Sequence, residues 1–407
     1  MLIRFSFKNF KSFKNENCID MEATSLKEHE YNLAEVNKNK YLRVAAIYGA
    51  NASGKTNALL AYNYMKRRIL VSDDINKNNK IDDENVFSFM INNEPISMEV
   101  EILAKNNKIY KYGFEVLKDK VVSEWLYIRK AKGFSEIFER NNDNKVILKE
   151  SKKETQFTID EDTLFLNLYT KLHSDNLDFA NVYEWFVESI YLDLGNPKFE
   201  SIINNRLSIK IIESKEYRNE LIKFIKNIDP GIEDIRTSID KMEDLKNANT
   251  SIKIEVIHRT ESNGKKALPI QLESNGTKKM FYLFDFLMDA LRNGNVLFID
   301  ELDAKLHPLL TKYIINLFHN SEINKNNGQL IYSTHDTVNL NKDTFRRDEI
   351  WFAEKNLDGE SRIYSLADYK IDNVKVRNDA TYNKDYLTGR YGAIPVFEEF
   401  GIGVNER

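Results

Sequence analysis

Apolar and polar residues alternate through Leu2, Arg4, Phe5 and Phe7, break at Lys11-Ser12 and resume at Cys18-Ile19, a pattern that predicts two paired strands. A third predicted strand, Leu42 to Tyr48, runs into a glycine-bearing loop. Ala58, Ala61, Met65 and Ile69 then fall on one face of a predicted helix. The polar, turn-rich run 73–85 reads as a mobile surface loop. From Ile96 to Arg140, short alternating runs separated by turn signals predict an antiparallel meander that ends near Asn144. Apolar residues then recur at three and four (Phe186, Ile190 and Tyr191; Leu221, Phe224 and Ile225), which predicts a mostly helical segment over 150–250. Beyond it strands and helices alternate: Ile252 to Ile257, a helix bearing Met280, Leu283, Phe284, Leu287 and Leu291 on one face, Val296 to Ile299, another helix, and Leu330 to Ser333. Such alternation predicts a parallel sheet with helical crossovers.

Composition narrows the class without deciding it. The chain has 407 residues, 42% hydrophobic and 30% charged, and fits two or three domains with a real core. A formal charge of -4 excludes a dedicated nucleic-acid wrapper, so any contact with DNA or RNA rests on local patches. Cys18 is the single cysteine, which excludes an intramolecular disulfide and a CxxC metal site and fits a reducing cytoplasm. The start MLIRFSFKNFKSF lacks the apolar core of a signal peptide, and no stretch reaches the roughly 20 apolar residues of a membrane span. A cytoplasmic protein is expected.

Residues 49–56 read GANASGKT and satisfy G-x-x-x-x-G-K-[ST] between a predicted strand and a predicted helix. Gly49 and Gly54 permit backbone conformations that let successive N–H groups turn around a phosphate, and the helix N-terminus adds donors and partial positive charge. Lys55 is expected on the β- and γ-phosphates and Thr56 on Mg²⁺. The candidate ATP contacts are Gly49, Asn51, Ala52, Ser53, Gly54, Lys55, Thr56 and Asn57.

Residues 296–303 read VLFIDELD, an apolar strand that ends in carboxylates. Open α/β sheets bind ligands at that edge. Asp300 is the second candidate Mg²⁺ group, and Glu301 is placed to polarise the water that attacks the γ-phosphate. The next strand, QLIYSTHD, ends at His335, which would hydrogen-bond the γ-phosphate and sense its presence. The catalytic candidates are therefore Glu301, His335 and Lys55. His307 precedes Pro308 at a predicted helix start, where a local structural role is the competing reading.

With FKNFKSF, GANASGKT, ESNGTKK, LFIDELDAKLHP, STHD, RRDEIWFAEK and YLTGRYGAIP in this order, the chain resembles the ABC-type ATPases of the SMC, RecF and OLD group. It looks closest to the smaller AAA-type ATPases of bacterial abortive infection and anti-phage defence. The resemblance runs from the first strand to about Pro395. It implies an α/β P-loop NTPase with an ABC-type head: a mixed sheet, an antiparallel β meander and an inserted helical lobe. The implied division is 1–149 for the first half of the head, 150–250 for the lobe and 251–407 for the second half. It also implies ATP and Mg²⁺ as cofactors and a head-to-head homodimer, in which a signature loop of one subunit caps the nucleotide of the other. Ser274, Asn275 and Gly276, with Thr277, match that loop, and donors at a helix start suit a γ-phosphate. Leu302 to His307 match the D-loop region. Two departures stand out. The glutamines are Gln156, Gln271 and Gln329, so no glutamine loop follows the phosphate-loop helix. No sustained heptads build a coiled-coil arm.

The stretch after His335 is short and lacks an acidic metal cluster, so a nuclease within this chain is not expected. The resemblance instead implies a separate effector, such as a nuclease or toxin, controlled during phage infection. RRDE (Arg346 to Glu349) and GRYG with Arg390 are candidate partner contacts, with packing roles as the competing reading. The alternative is a RecF-like repair ATPase that clamps DNA without a toxic partner. Lys8, Lys11 and Lys14, then Lys66, Arg67 and Arg68, then Lys278 and Lys279 are the candidate nucleic-acid clusters.

Overall fold

A computed structural model describes residues 1–71, 94–141, 143–150, 153–196, 210–240, 251–260, 264–371 and 373–394. The run 73–85, Pro395, and parts of 150–250 (151–152, 197–209 and 241–250) lie outside the described residues.

Strands β1 (Leu2–Lys8) and β2 (Asn17–Asp20) pair antiparallel, as their alternation predicts. The predicted strand from Leu42 divides at Arg43. Residues Leu33–Val36 (β3) and Asn39–Leu42 (β4) form a hairpin, whereas Val44–Tyr48 (β5) enters a parallel sheet. Arg43 causes the division: it is buried and donates to the carbonyls of Tyr31 and His319 and to Asn327 Oδ1.

Helix α1 (Lys55–Val71) follows, then the meander β6 (Ile96–Leu103), β7 (Ile109–Leu117), β8 (Lys120–Lys130) and β9 (Gly133–Arg140). The meander continues past Asn144 through β10 (Lys145–Glu150) and β11 (Lys153–Thr158), giving an eight-stranded sheet in the order β11-β10-β9-β8-β7-β6-β1-β2. The segment expected to be mostly helical thus begins with a strand pair. Its helices α2 (Phe165–Leu172) and α3 (Leu177–Glu188) share one core with the meander and α1.

Ile190 and Tyr191, at helical spacing from Phe186, stand instead on strand β12 (Ile190–Asp193). Ser189 stops the helix with extended backbone (φ -63°, ψ 146°), and its hydroxyl donates to the Phe186 carbonyl. The β-branched and aromatic pair then finds a parallel partner, which outweighs local spacing. Helix α4 (Lys215–Lys226) and a three-stranded sheet of β13 (Ile232–Asp240), β14 (Ser251–Arg259) and β15 (Lys265–Pro269) complete the region.

Helix α5 (Asn275–Asn293), strand β16 (Val296–Asp300), helix α6 (Pro308–His319) and strand β17 (Gln329–Ser333) agree with the alternation read from the chain. Strands β18 (Ile350–Lys355) and β19 (Ser361–Ser365) finish the second sheet, in the order β12-β16-β17-β5-β18-β19. All its neighbours are parallel except β18 and β19. The fold class is α/β with mixed sheets, as expected.

Why the interiors of β5, β16 and β17 are apolar is clear from their two faces. Ala45 and Ile47 point into the core shared with α1 and the meander, and Val44, Ala46 and Tyr48 into the core shared with α5 and α6. Helix α1 is wedged between the sheets: Tyr62 stacks on Phe298 of β16 at 3.7 Å and meets Phe5 of β1 edge-on at 5.7 Å. Gln329, fully buried, ties the sheets directly. It accepts from the Leu2 N–H and donates to the carbonyls of Leu2 and Leu42.

RRDE is not a partner surface. Arg346 is fully buried, donates to both oxygens of Asp348 at 2.9 and 2.8 Å, and reaches the carbonyls of Leu26 and Glu28. Glu349, also fully buried, accepts from Asn32 and the Arg346 N–H and pairs with His319 at 2.9 Å. Only Arg347 is less than fully enclosed, and it pairs with Glu28 at 3.0 Å. The four charges clamp the chain ahead of β18 onto the segment before β3. Arg346→Met strands Asp348 as a buried charge and should cost roughly 3–5 kcal/mol of stability. Urea denaturation checks this, and a loss below about 1 kcal/mol, the size of a surface pair, would contradict the clamp.

Candidate functional site

The phosphate loop joins β5 to α1, so it emerges at the C-terminal edge of the parallel sheet. A Cβ on Gly54 (φ 109°) would stand 2.6 Å from Ser361 Oγ, so the close turn there requires glycine. Asn51 and Ala52 are exposed, and Ala52 holds a left-handed φ of 61°. Ser53 is buried with its hydroxyl unpartnered among the described residues. Asn57 does not face the loop's mouth: its amide donates to Ser12 Oγ at 2.8 Å.

Lys55 is 6% exposed, and its ammonium donates to the carbonyls of Gly49 and Ala50 at 2.9 Å each. Burial pushes it down to about 8, against the raising fields of Asp300, Asp303 and Glu301. Asp300, at the end of β16, is 2% exposed and accepts a hydrogen bond from the Ser333 hydroxyl. Burial raises the Asp300 pKa, and the hydroxyls of Ser333 and Thr56 oppose the rise.

Glu301 follows with φ 54°, and its N–H donates to Ser333 Oγ at 2.8 Å. Its carboxyl pKa is raised by desolvation first, then by Asp300, Asp193 and Asp303. The backbone of His335 donates to both oxygens of Asp303 at 3.2 Å. Its imidazole is largely exposed. The partial desolvation it does suffer, followed by the charge of Lys55, lowers its pKa and favours the neutral ring.

Sequence reasoning missed three contributors. Asp193 ends β12 in register with Asp300, so a third strand brings a carboxylate to the same edge. Gly195 follows, and a Cβ there would lie 2.7 Å from Glu301 Oε2. Asp303 holds the histidine strand. The helical reading of 150–250 hid the first two; the third stood in plain view within VLFIDELD.

Ser274, Asn275 and Gly276 are not brought to Lys55. Ser274 caps α5, accepting from the Thr277 N–H at 3.1 Å. The cleft beside it is lined by Gly276, Thr277, Asp229, Lys305 and His307, with no residue of the phosphate loop. His307 caps α6, its Nδ1 accepting from the Leu309 N–H at 3.2 Å ahead of Pro308, which fits the structural reading. The candidate nucleic-acid clusters lose several members. Lys66 donates to the Ser189 carbonyl, Arg68 is buried against the carbonyls of Asp119 and Asp162, and Lys279 is buried in the turn after β16. Arg390 is exposed and pairs with Asp385 at 3.0 Å.

Residues 44–341 match the family model described as AAA domain, putative AbiEii toxin, Type IV TA system. Among solved structures, a SmcHead bound to the C-winged helix domain of ScpA is similar, with 16% identity, 89% of this chain and 97% of that one covered, and a TM-score of 0.48. A Smc head domain bound to the C-terminal domain of ScpA derived from Pyrococcus furiosus gives 14%, 89%, 96% and 0.46. The recombination mediator protein RecF with ATPrS gives 15%, 90%, 98% and 0.37. No curated protein matches the chain.

The depressed Lys55 sets a pH dependence whose sign follows from linkage. A bound phosphate favours the ammonium, so affinity is full below about pH 8 and falls as pH rises through it, roughly tenfold per unit. Titration of a fluorescent nucleoside triphosphate from pH 7 to 10 measures this. Lys55→Arg, whose charge persists, should flatten the curve. A flat wild-type curve would remove Lys55 from the phosphate site.

Proposed function

This chain belongs to the family of AAA domains described as putative AbiEii toxin, Type IV TA system, and from that premise we propose an ATPase that closes head to head on Mg²⁺-ATP and controls a separate effector in anti-phage defence. The observation that carries the reading is the convergence of Lys55, Thr56, Asp300, Glu301 and His335 at one sheet edge while Ser274 faces elsewhere.

Hard oxygen donors suit Mg²⁺, which binds through few protein ligands plus phosphates and water. The Thr56 hydroxyl at the start of α1 and the Asp300 carboxylate at the end of β16 are the groups that would hold it. Bound there, the ion neutralises charge on the phosphates. Lys55 leaves its two loop carbonyls for phosphate oxygens. Glu301, with its raised pKa, takes the proton of the attacking water, and neutral His335 supplies a hydrogen bond at the terminal phosphate.

Closure by a second copy would bring Ser274 to the opposite nucleotide. Exposed Leu272, Leu309 and Val338 border that face. Leu272 precedes the signature, and the Asn339 side chain beside Val338 donates to Pro308, next to Leu309. A partner covering them gains apolar burial. The DNA-clamp alternative loses Lys66, Arg68 and Lys279 as phosphate contacts, because each is already engaged within the chain.

Ser274→Arg should leave ATP affinity within about threefold of wild type, since uniform ground-state binding resides at Lys55, yet abolish ATP-dependent dimerisation and turnover. Glu301→Gln should dimerise and lose about 10²- to 10⁴-fold in kcat. Light scattering and phosphate release read both, and unimpaired hydrolysis by Ser274→Arg sinks the sandwich. Co-purification with the product of the adjacent gene, with and without ATP, tests the effector. Salt-sensitive DNA binding without any protein partner would favour the repair reading instead.

A further inference from the structure

Lys279 lies one helical turn into α5, about 6 Å along the axis from Asn275. It is 8% exposed, an unusual setting for lysine. Its ammonium donates to the carbonyls of Glu301, Leu302 and Ala304, at 3.4 and 3.1 Å for the first two. The turn that receives it is conformationally demanding: Glu301 has φ 54° and Lys305 φ 60°, both left-handed without being glycine. Such backbone persists only where its surroundings fix it. On one side the Glu301 N–H is held by Ser333, and on the other the turn's carbonyls are held by Lys279.

From this geometry we propose that Lys279 is a positioning residue for Glu301, fixing the turn that aims its carboxylate and tying that turn to the helix capped by Ser274. The assignment rests on the ATPase reading above. The two halves of the tie serve different nucleotides. Glu301 acts on the phosphate held by its own chain, whereas Ser274 addresses the one held by the second copy. A rigid strut between them lets engagement of one site set the geometry of the other. Charge-assisted bonds to three carbonyls at once give the strut its stiffness. Lys278, its neighbour, is half-buried and its ammonium reaches the Gln271 carbonyl at 3.4 Å instead of the Glu301 turn, so it serves as the control position.

The test compares Lys279→Met, Lys279→Arg and Lys278→Met in the full-length chain. Lys279→Met should bind a fluorescent ATP analogue and dimerise with ATP as wild type does, while kcat falls about 100-fold, the effect of an ångström-scale misplacement. Adding Glu301→Gln should lower kcat no further than Glu301→Gln alone, because both changes remove one function. Lys279→Arg, which keeps a charged donor, should recover most of the loss, and Lys278→Met should show none. A folded Lys279→Met with kcat within twofold of wild type overturns the proposal. So do multiplicative losses in the double variant, or a folded Lys279→Arg as impaired as Lys279→Met. If Lys279→Met fails to fold by circular dichroism, Lys279→Gln carries the same comparison with the same deciding outcomes. Absence of ATP-dependent dimers in the wild type sinks the sandwich and leaves the Lys279 comparison standing, since that contact lies within one chain. A wild type that dimerises but never hydrolyses ATP sinks the assignment to Glu301 and with it the role of Lys279.

Discussion

A lysine buried among carboxylates is the constraint on which the rest of this molecule depends. Lys55 is 6% exposed, and an ammonium so placed is tolerable only with counter-charges close by. Asp300, Asp303 and Glu301 supply them, arriving from one strand end and the turn after it. With Asp193 from β12, the sheet edge holds more negative than positive charge, and the raised carboxyl pKa values of Asp300 and Glu301 register that crowding on top of burial. A polyanionic ligand enters such a field only when cations accompany it. The proposed Mg²⁺ beside Thr56 and Asp300, the ammonium of Lys55 and the N-terminus of α1 together answer that requirement.

Holding these charges in place requires struts that are themselves neutral. Ser333 is the central one: its hydroxyl joins Asp300, and the Glu301 N–H donates to the same oxygen. Because Ser333 ends β17 next to β16, the parallel register that aligns Ile299 with Tyr332 delivers it to that spot. Register also explains Asp193, which reaches the edge because Ile190 pairs with Leu297 three residues earlier. Backbone pairing deep in the sheet thus fixes the site to within a hydrogen bond. The Tyr62 wedge between the two sheets keeps α1, and Lys55 with it, from drifting relative to that frame.

Much of this was legible in the chain. The phosphate loop, the acid-ended strand, the histidine strand and the helix after Ser274 each combine a periodic apolar run with an abrupt change of chemistry, and all four stand where they were read. What stayed hidden depended on long-range pairing. Ile190 and Tyr191 sit at helical spacing from Phe186, and only a parallel partner more than a hundred residues away makes them a strand. In the meander's last pair, β10 sets exposed Ile147 between buried Val146 and Leu148 and β11 is mostly polar, so there was little apolar alternation to read. Arg346, Asp348 and Glu349 look like surface charge because sequence does not show the segment around Glu28 and Asn32 that buries them. Lys279 misled in the same way, since one lysine of a KK pair is half-buried and the other enclosed.

That last contrast bears on how such a site communicates. A helix N-terminus offering donors to an external phosphate is indifferent to what lies behind it unless something connects the two. Here the connection is short: Ser274 caps α5, Lys279 leaves the same helix one turn later, and its ammonium ends on the carbonyl of Glu301 itself. A displacement of the helix start therefore reaches the Glu301 turn through a handful of bonds, with no intervening loop to absorb it. The turn is also poised to respond, because a left-handed glutamate has an ordinary backbone conformation available once a restraint is lost. Stiffness in the helix and strain in the turn are complementary, and in the proposed coupling they make the orientation of one carboxylate depend on what the Ser274 end of α5 touches.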